Sequence, residues 1–90
     1  MADTNKQFAD SAVQTLQRAR YLHTTAALRD LKTLSEKIGR GTDVESERAA
    51  AWLAVSVLYH TLLETPDGPE VEARWQRAID QMRAWRSTFK

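Results

Sequence analysis

Ser56, His60 and Glu64 have residue types that suggest chemistry, because serine, histidine and a carboxylate make up the acyl-transfer triad. Their spacing of four places the three side chains in a line along one face of a helix. Such a line has no oxyanion donors in reach, and it lacks the sharp turn that exposes a nucleophilic serine. We therefore interpret it as the solvated edge of a buried helix, with His60 and Glu64 as an i,i+4 pair. We predict no catalytic residue and no enzyme activity.

His23 and His60 are also candidates for a phosphoacceptor on a helical bundle. In size and helical layout the chain is similar to the histidine-phosphotransfer domains, which carry a lysine and a glycine just after their histidine. Here Thr24-Thr25 follow the first histidine and Thr61-Leu62 follow the second. We therefore interpret His23 as a partly packed surface residue. With the two histidines in different predicted helices and no cysteine, we predict neither a metal site nor a cofactor.

A third set of side chains is cationic and could line a pocket for a dicarboxylate: Arg18 or Arg20, Arg29, Lys37 or Arg40, and Arg48. A long first helix, a short loop and two shorter helices also resemble the outline of the helical chorismate mutases. That resemblance implies an intertwined dimer with an arginine-lined anion pocket. The acidic-Arg-Glu run at the start of that family's second helix is not reproduced by residues 45–49. A small helical enzyme of this kind is kept as an alternative.

The elements that must position these residues are predicted to be helices. All glycines and prolines fall in two clusters, Gly39 to Gly41 and Pro66 to Pro69, which leave three runs without a backbone breaker. We predict an all-α fold, an antiparallel bundle of three helices with a long first helix, in a single domain of residues 1–90.

The first run carries two apolar stripes rotated by about 90° from each other, so its packing partner changes near residues 21–25. The stripes consist of Phe8, Ala12, Leu16, Ala19, Leu22 and Ala26, and of Ala27, Leu31, Leu34 and Ile38. One solution breaks the helix near residues 21–25 and gives a monomeric four-helix bundle. The other keeps it continuous and packs its overhang against a second subunit. Since threonines disfavour helix only mildly, we favour the continuous helix and a homodimer.

The second and third runs have predicted caps. Thr42 and Glu45 form a capping box at the start of the second, which is then apolar around most of its circumference and is expected to be central. In the third, Asp67 or Gly68 caps the helix and Pro69 lies in its first turn.

Composition excludes some classes of function. Thirteen basic and twelve acidic side chains give a net charge of +1, which provides no global field to attract nucleic acid or anionic lipid. The longest apolar stretch, from Ala49 to Tyr59, is about half the ~20 residues that a bilayer requires. We therefore expect no membrane span. The polar start of the chain lacks a signal-like segment, which predicts a cytoplasmic protein.

A nucleic-acid-binding regulator is a second alternative, because the third run mixes cations with flat rings. These are Arg74, Arg77, Arg83, Arg86 and Lys90 beside Trp75 and Trp85. Both tryptophans lie on the apolar heptad face, however, and we interpret them as core residues.

Protein binding is the function that we predict. Three tryptophans, two tyrosines, two phenylalanines and two methionines exceed what a three-helix core of this size hides, and such side chains are enriched at interface centres. The chain is expected to act as a non-enzymatic adaptor, chaperone or stoichiometric inhibitor of the kind that phages and plasmids encode. The predicted partner-binding residues are Phe8, Leu16, Met82, Trp85, Arg86 and Phe89.

Overall fold

Four helices make up the part of the chain that the computed structural model describes, residues 4–39 and 46–89. They are α1 (Thr4–Ala19), α2 (Thr24–Ile38), α3 (Glu47–Glu64) and α4 (Val71–Arg86). No strand is present in these residues, so the all-α prediction is confirmed.

The helices form a ring in which each packs on the next along the chain and α4 returns to α1. The contact between α3 and α4 is the most extensive and that between α1 and α2 the least. Ion pairs of Asp10 with Arg86 and of Arg20 with Glu72 show that α1 runs antiparallel to α4. Because α1 and α3 both contact α2 and α4 but not each other, these two described helices lie diagonally opposite across the bundle.

The prediction of a continuous first helix is wrong. The other solution, a helix broken near residues 21–25, describes the fold. The chain leaves α1 through a tight turn, in which Tyr21 N donates to Arg18 O and Leu22 N to Ala19 O at 3.2 and 3.0 Å. His23 is then extended, with φ −59° and ψ 151°, before α2 begins.

Packing explains why the break forms without a strong helix breaker. Because the second stripe points away from the first, only a change of direction brings Leu31, Leu34 and Ile38 into the same core as Leu16. Full burial of each such side chain is worth roughly 1.5–3 kcal/mol, whereas a lost helical hydrogen bond costs about 1 kcal/mol net. Burial therefore outweighs the interrupted turn.

The end of α1 is also tied to α4. Arg20 donates to the Glu72 carboxylate, and this hydrogen bond raises the pKa of the guanidinium above its ordinary value.

The core is a set of side chains from all four helices, each at most 7% exposed. Leu16, Leu31, Val55, Leu58 and Met82 are enclosed almost completely, as is Ile38. The described residues contain no buried polar or charged side chain.

The predicted helix starts differ from the observed ones. Thr42 and Glu45, the predicted capping box, lie outside the described residues, and α3 begins at Glu47 with Ser46 as its N-cap. The Ser46 hydroxyl accepts from Ala49 N at 3.1 Å, which satisfies one of the helix's unpaired N–H groups. In the next connection, Gly68 N donates to Thr65 O at 2.9 Å and closes a turn.

The start of α4 follows that turn. The helix begins at Val71 rather than at Pro69, and its N-cap Glu70 makes no side-chain capping bond. The predicted caps Asp67 and Gly68 therefore belong to the preceding turn.

Candidate protein-interaction surface

Helix α3 presents an apolar surface to solvent. Between Arg48 and Glu64 the chain carries no lysine, arginine, aspartate or glutamate for about four helical turns. Leu53 and Leu63 on this stretch are 56% and 53% exposed. We define the α3 face as the exposed or half-buried residues along this side of the helix: Ala50, Leu53, Ser56, Val57, His60 and Leu63.

The other three helices do not resemble α3 in this respect. Their described exposed positions carry polar or charged side chains, with the exception of Ala73 on α4. Both α1 and α2 direct their apolar stripes at the core and their polar stripes at water. The α3 face is therefore a local departure from the pattern of a closed bundle.

Arginines of α4 border the α3 face on one side. A cleft of about 120 Å³ between α3 and α4 is lined by Leu53, Val57, Arg74 and Arg77, among others. Arg74 forms an i,i+4 ion pair with Glu70 at 3.7 Å. Arg77 is exposed and forms no ion pair with any residue that the structure describes.

Aromatic side chains border the α3 face on the side towards α2. Trp52 and Tyr59 are half-buried and pack on the core. The Tyr59 ring also meets the His60 ring edge to face, with centroids 5.4 Å apart. The surface thus has an uncharged centre between aromatic and cationic edges, a composition that is typical of interface centres.

The partner-binding residues that the sequence suggested lie elsewhere. Leu16 and Met82 are completely buried and Trp85 is 6% exposed, so all three are enclosed by their own chain. Phe8 and Phe89 are half-buried and pack edge to face on Trp85, with centroids 6.0 and 5.8 Å away.

Arg86 completes this set by pairing with Asp10 across the α1–α4 contact. The structure therefore brings five of the six predicted residues, all but Leu16, to the end of the bundle where α1 begins and α4 ends. They close that end of the core rather than form an exposed apolar surface.

The α3 face was missed at the sequence level although its signal was present. Residues 49–63 are apolar around most of the helix, a pattern that predicts a central helix covered by neighbours. Among the four described helices, α3 contacts α2 and α4, and its outer side faces away from both.

Ser56, His60 and Glu64 lie along this outer side as predicted from their spacing. Ser56 is half-buried, and the other two are exposed. The described structure contains no hydrogen bond or ion pair among the three, so the expected His60–Glu64 pair is not formed.

Three of the cations considered for an anion pocket do share a cleft. Arg18, Arg29 and Lys37 line an open depression of about 240 Å³ between α1 and α2, together with Asp30. Arg20 pairs instead with Glu72, and Arg48 donates to the Ile38 carbonyl oxygen from Nε at 2.8 Å. Arg40 lies outside the described residues. The resemblance to the chorismate mutases depended on a long first helix. In the structure this part of the chain is divided into α1 and α2.

The rings considered for nucleic-acid stacking are enclosed. Trp75 and Trp85 are 3% and 6% exposed, so neither indole face is available to a base. Arg74 and Arg86 are engaged in ion pairs, and Lys90 lies outside the described residues.

No protein-family model matches the chain, and no curated protein or solved structure is significantly similar to it. None of the helices described above is long and apolar enough to cross a membrane. Within residues 4–39 and 46–89, no three His, Cys, Asp or Glu side chains are grouped so as to hold a metal ion.

Proposed function

We propose that this protein is a non-enzymatic protein-protein interaction module that binds a helix of its partner on the α3 face. The observation that carries the proposal is the uncharged, solvent-facing side of α3 over about four turns. Adaptor, chaperone and stoichiometric inhibitor are roles that such a module could fill, and a cytoplasmic location remains part of the proposal.

The energetic argument for binding at the α3 face is the cost of leaving apolar surface area in water. Leu53 and Leu63 each leave about half of their surface exposed, and covering that half is worth on the order of 1 kcal/mol per residue. Neither residue belongs to the core cluster or is among the partly buried residues that pack against it. Their apolar character is therefore best explained by a surface that becomes covered.

The expected mode of binding is an apolar helix laid along α3. Residues Ala50, Leu53, Val57 and His60 follow one another at steps of three or four, which is the spacing that one helix presents to another. Arg77, at the α4 edge, is available to pair with a carboxylate on the bound helix.

Site-specific photocrosslinking in the cells that produce the protein tests this proposal. A benzophenone side chain at position 53 should yield discrete crosslinked species, because that position lies at the centre of the α3 face. The matched control is position 14, since Gln14 is exposed on α1, diagonally opposite. Equal crosslinking from both positions, or none from position 53, would overturn the proposal.

Anion binding is a second candidate function, favoured by the convergence of Arg18, Arg29 and Lys37 on the α1–α2 cleft. Titration with citrate, followed by amide chemical shifts, should perturb residues of this cleft, and Arg29→Gln should reduce the affinity several-fold. Lys32→Gln is the control, since Lys32 is an exposed α2 cation that does not line the cleft. Shifts spread evenly over all exposed cations would contradict a specific site.

A further inference from the structure

We infer that the cleft between α1 and α2 binds a linear dianion, a ligand with an aliphatic middle and an anionic group at each end. The inference rests on the second candidate function, anion binding, and specifies its ligand. It is carried by the position of Arg18, Arg29 and Lys37 at the two ends of the cleft and by the apolar floor between them.

Positive charge is concentrated on the half of the bundle that contains the cleft. Residues 4–38, which include α1 and α2, carry six lysines and arginines and three carboxylates, a net charge of +3. Residues 46–89, which include α3 and α4, carry five lysines and arginines and six carboxylates, a net charge of −1. An anion is therefore attracted to the α1–α2 side, although the net charge of the whole chain is small.

The cations of the cleft are available to a ligand. Arg18, Arg29 and Lys37 are exposed, and none of them forms an ion pair within the part of the chain that the structure describes. Asp30 also lines the cleft, so the charges of the four ionic side chains add up to +2. Two anionic groups on one ligand would neutralise this charge.

The cations lie at opposite ends of the cleft because α1 and α2 run antiparallel. Phe8 and Lys37 line a second depression together with Ile38, which places the start of α1 beside the end of α2. Arg18 and Arg29 lie in the half of the cleft nearer to the turn between the helices. Arg29 and Lys37 are eight residues apart, which corresponds to about 12 Å along α2. An extended dianion matches this separation better than a compact anion does.

The floor of the cleft between the cations is apolar. Ala12 of α1 and Leu34 of α2 line it and are 1% and 5% exposed, and the half-buried Phe8 lines it at the Lys37 end. The space above this floor is about 240 Å³, whereas an apolar protein cavity of about 150 Å³ already holds a benzene ring. Methylene groups of a ligand can pack on this floor and be removed from water.

The first experiment tests the length of the ligand with a series of α,ω-dicarboxylates. Succinate, adipate, suberate and sebacate are titrated into the isotope-labelled protein, and amide chemical shifts are followed. We expect the affinity to rise several-fold from succinate to suberate, with a Kd on the order of millimolar because the ion pairs are exposed. The shifted amides should lie along the cleft. Octanoate is the matched control, since it has the chain length of suberate but one carboxylate, and it should bind several-fold more weakly.

The second experiment neutralises one end of the cleft at a time. Lys37→Gln should weaken the binding of suberate a few-fold, the effect expected of one exposed ion pair. The same change should leave octanoate binding unaltered, because a single carboxylate is held at the end that has two arginines. Arg29→Gln should weaken both ligands. Lys32→Gln is the control, since Lys32 is exposed on α2 and does not line the cleft.

Equal affinities for suberate and octanoate, or equal effects of Lys37→Gln and Lys32→Gln, would overturn the two-ended ligand. Citrate binding at the cleft without any preference for ligand length would preserve anion binding and reject the linear dianion. Absence of shifts at the cleft with all of these anions would reject both. The protein-interaction module is judged separately by the crosslinks from position 53.

Discussion

Phe8 near the start of α1 and Trp85 near the end of α4 meet edge to face, with ring centroids 6.0 Å apart and planes inclined by 62°. The contact joins the first and last helices of the ring. With Trp85 only 6% exposed, it belongs to the core and not to a free surface.

Trp85→Ala is expected to destabilise the fold by about 3–5 kcal/mol, as for other large buried aromatic residues. Urea unfolding followed by circular dichroism measures this change. Arg83→Ala, at an exposed position of the same helix, should stay within about 0.5 kcal/mol of the parent. A Trp85→Ala variant of parental stability would place the indole outside the core.

Gly39→Ala is expected to destabilise the protein by about 1–3 kcal/mol through its backbone. Gly39 ends α2 with φ 61° and ψ 157°, a conformation that is open essentially to glycine alone. Thermal unfolding is a suitable measurement, with Lys37→Ala as an exposed control in the same turn. Equal melting temperatures for the two variants would argue against this backbone conformation.

Ser46→Ala should cost about 1 kcal/mol, because Ala49 N loses its acceptor at the start of α3. Ser46→Asp should restore the parental stability, since an aspartate accepts the same hydrogen bond and favours the positive end of the helix. Comparison of the two variants by urea unfolding separates a capping effect from a general intolerance at position 46. If both were equally destabilised, Ser46 would act in another way.

The Arg20–Glu72 ion pair should contribute only about 0.2–1 kcal/mol, because the Glu72 side chain is 71% exposed. A double-mutant cycle with Arg20→Gln and Glu72→Gln measures the coupling, and repeating it in high salt should reduce it. A salt-independent coupling well above 1 kcal/mol would mean that the pair is shielded from water.

Much of the architecture could be predicted from the positions of glycine and proline and from the helical spacing of apolar residues. Gly39 and the Pro66–Pro69 cluster mark two connections, and steps of three and four identify Trp75, Met82 and Trp85 as one buried stripe. The connection between α1 and α2 has no such local mark. The break forms because Leu31 and Leu34 reach the core only if the chain changes direction. This is a tertiary effect that the helix propensities of single residues do not contain.

The candidate surface could be predicted only in part, for a similar reason. An apolar circumference on α3 indicates that the helix avoids water, but it does not reveal how many neighbours the same chain supplies. Leu53 has the same residue type as the buried Leu58, and only the ring of four helices distinguishes them. The prediction that Trp85 and Phe89 bind a partner follows from residue type, whereas the burial of these side chains depends on the position of α1.

The three tryptophans divide between two environments. Trp75 and Trp85 are enclosed by the bundle, while Trp52 is half-buried one turn before Ser56 at the edge of α3. The chain therefore carries its own optical probes. Fluorescence from a variant that keeps only the indole at position 52 would report what happens on the outside of α3, and the two enclosed indoles would report whether the bundle itself is intact.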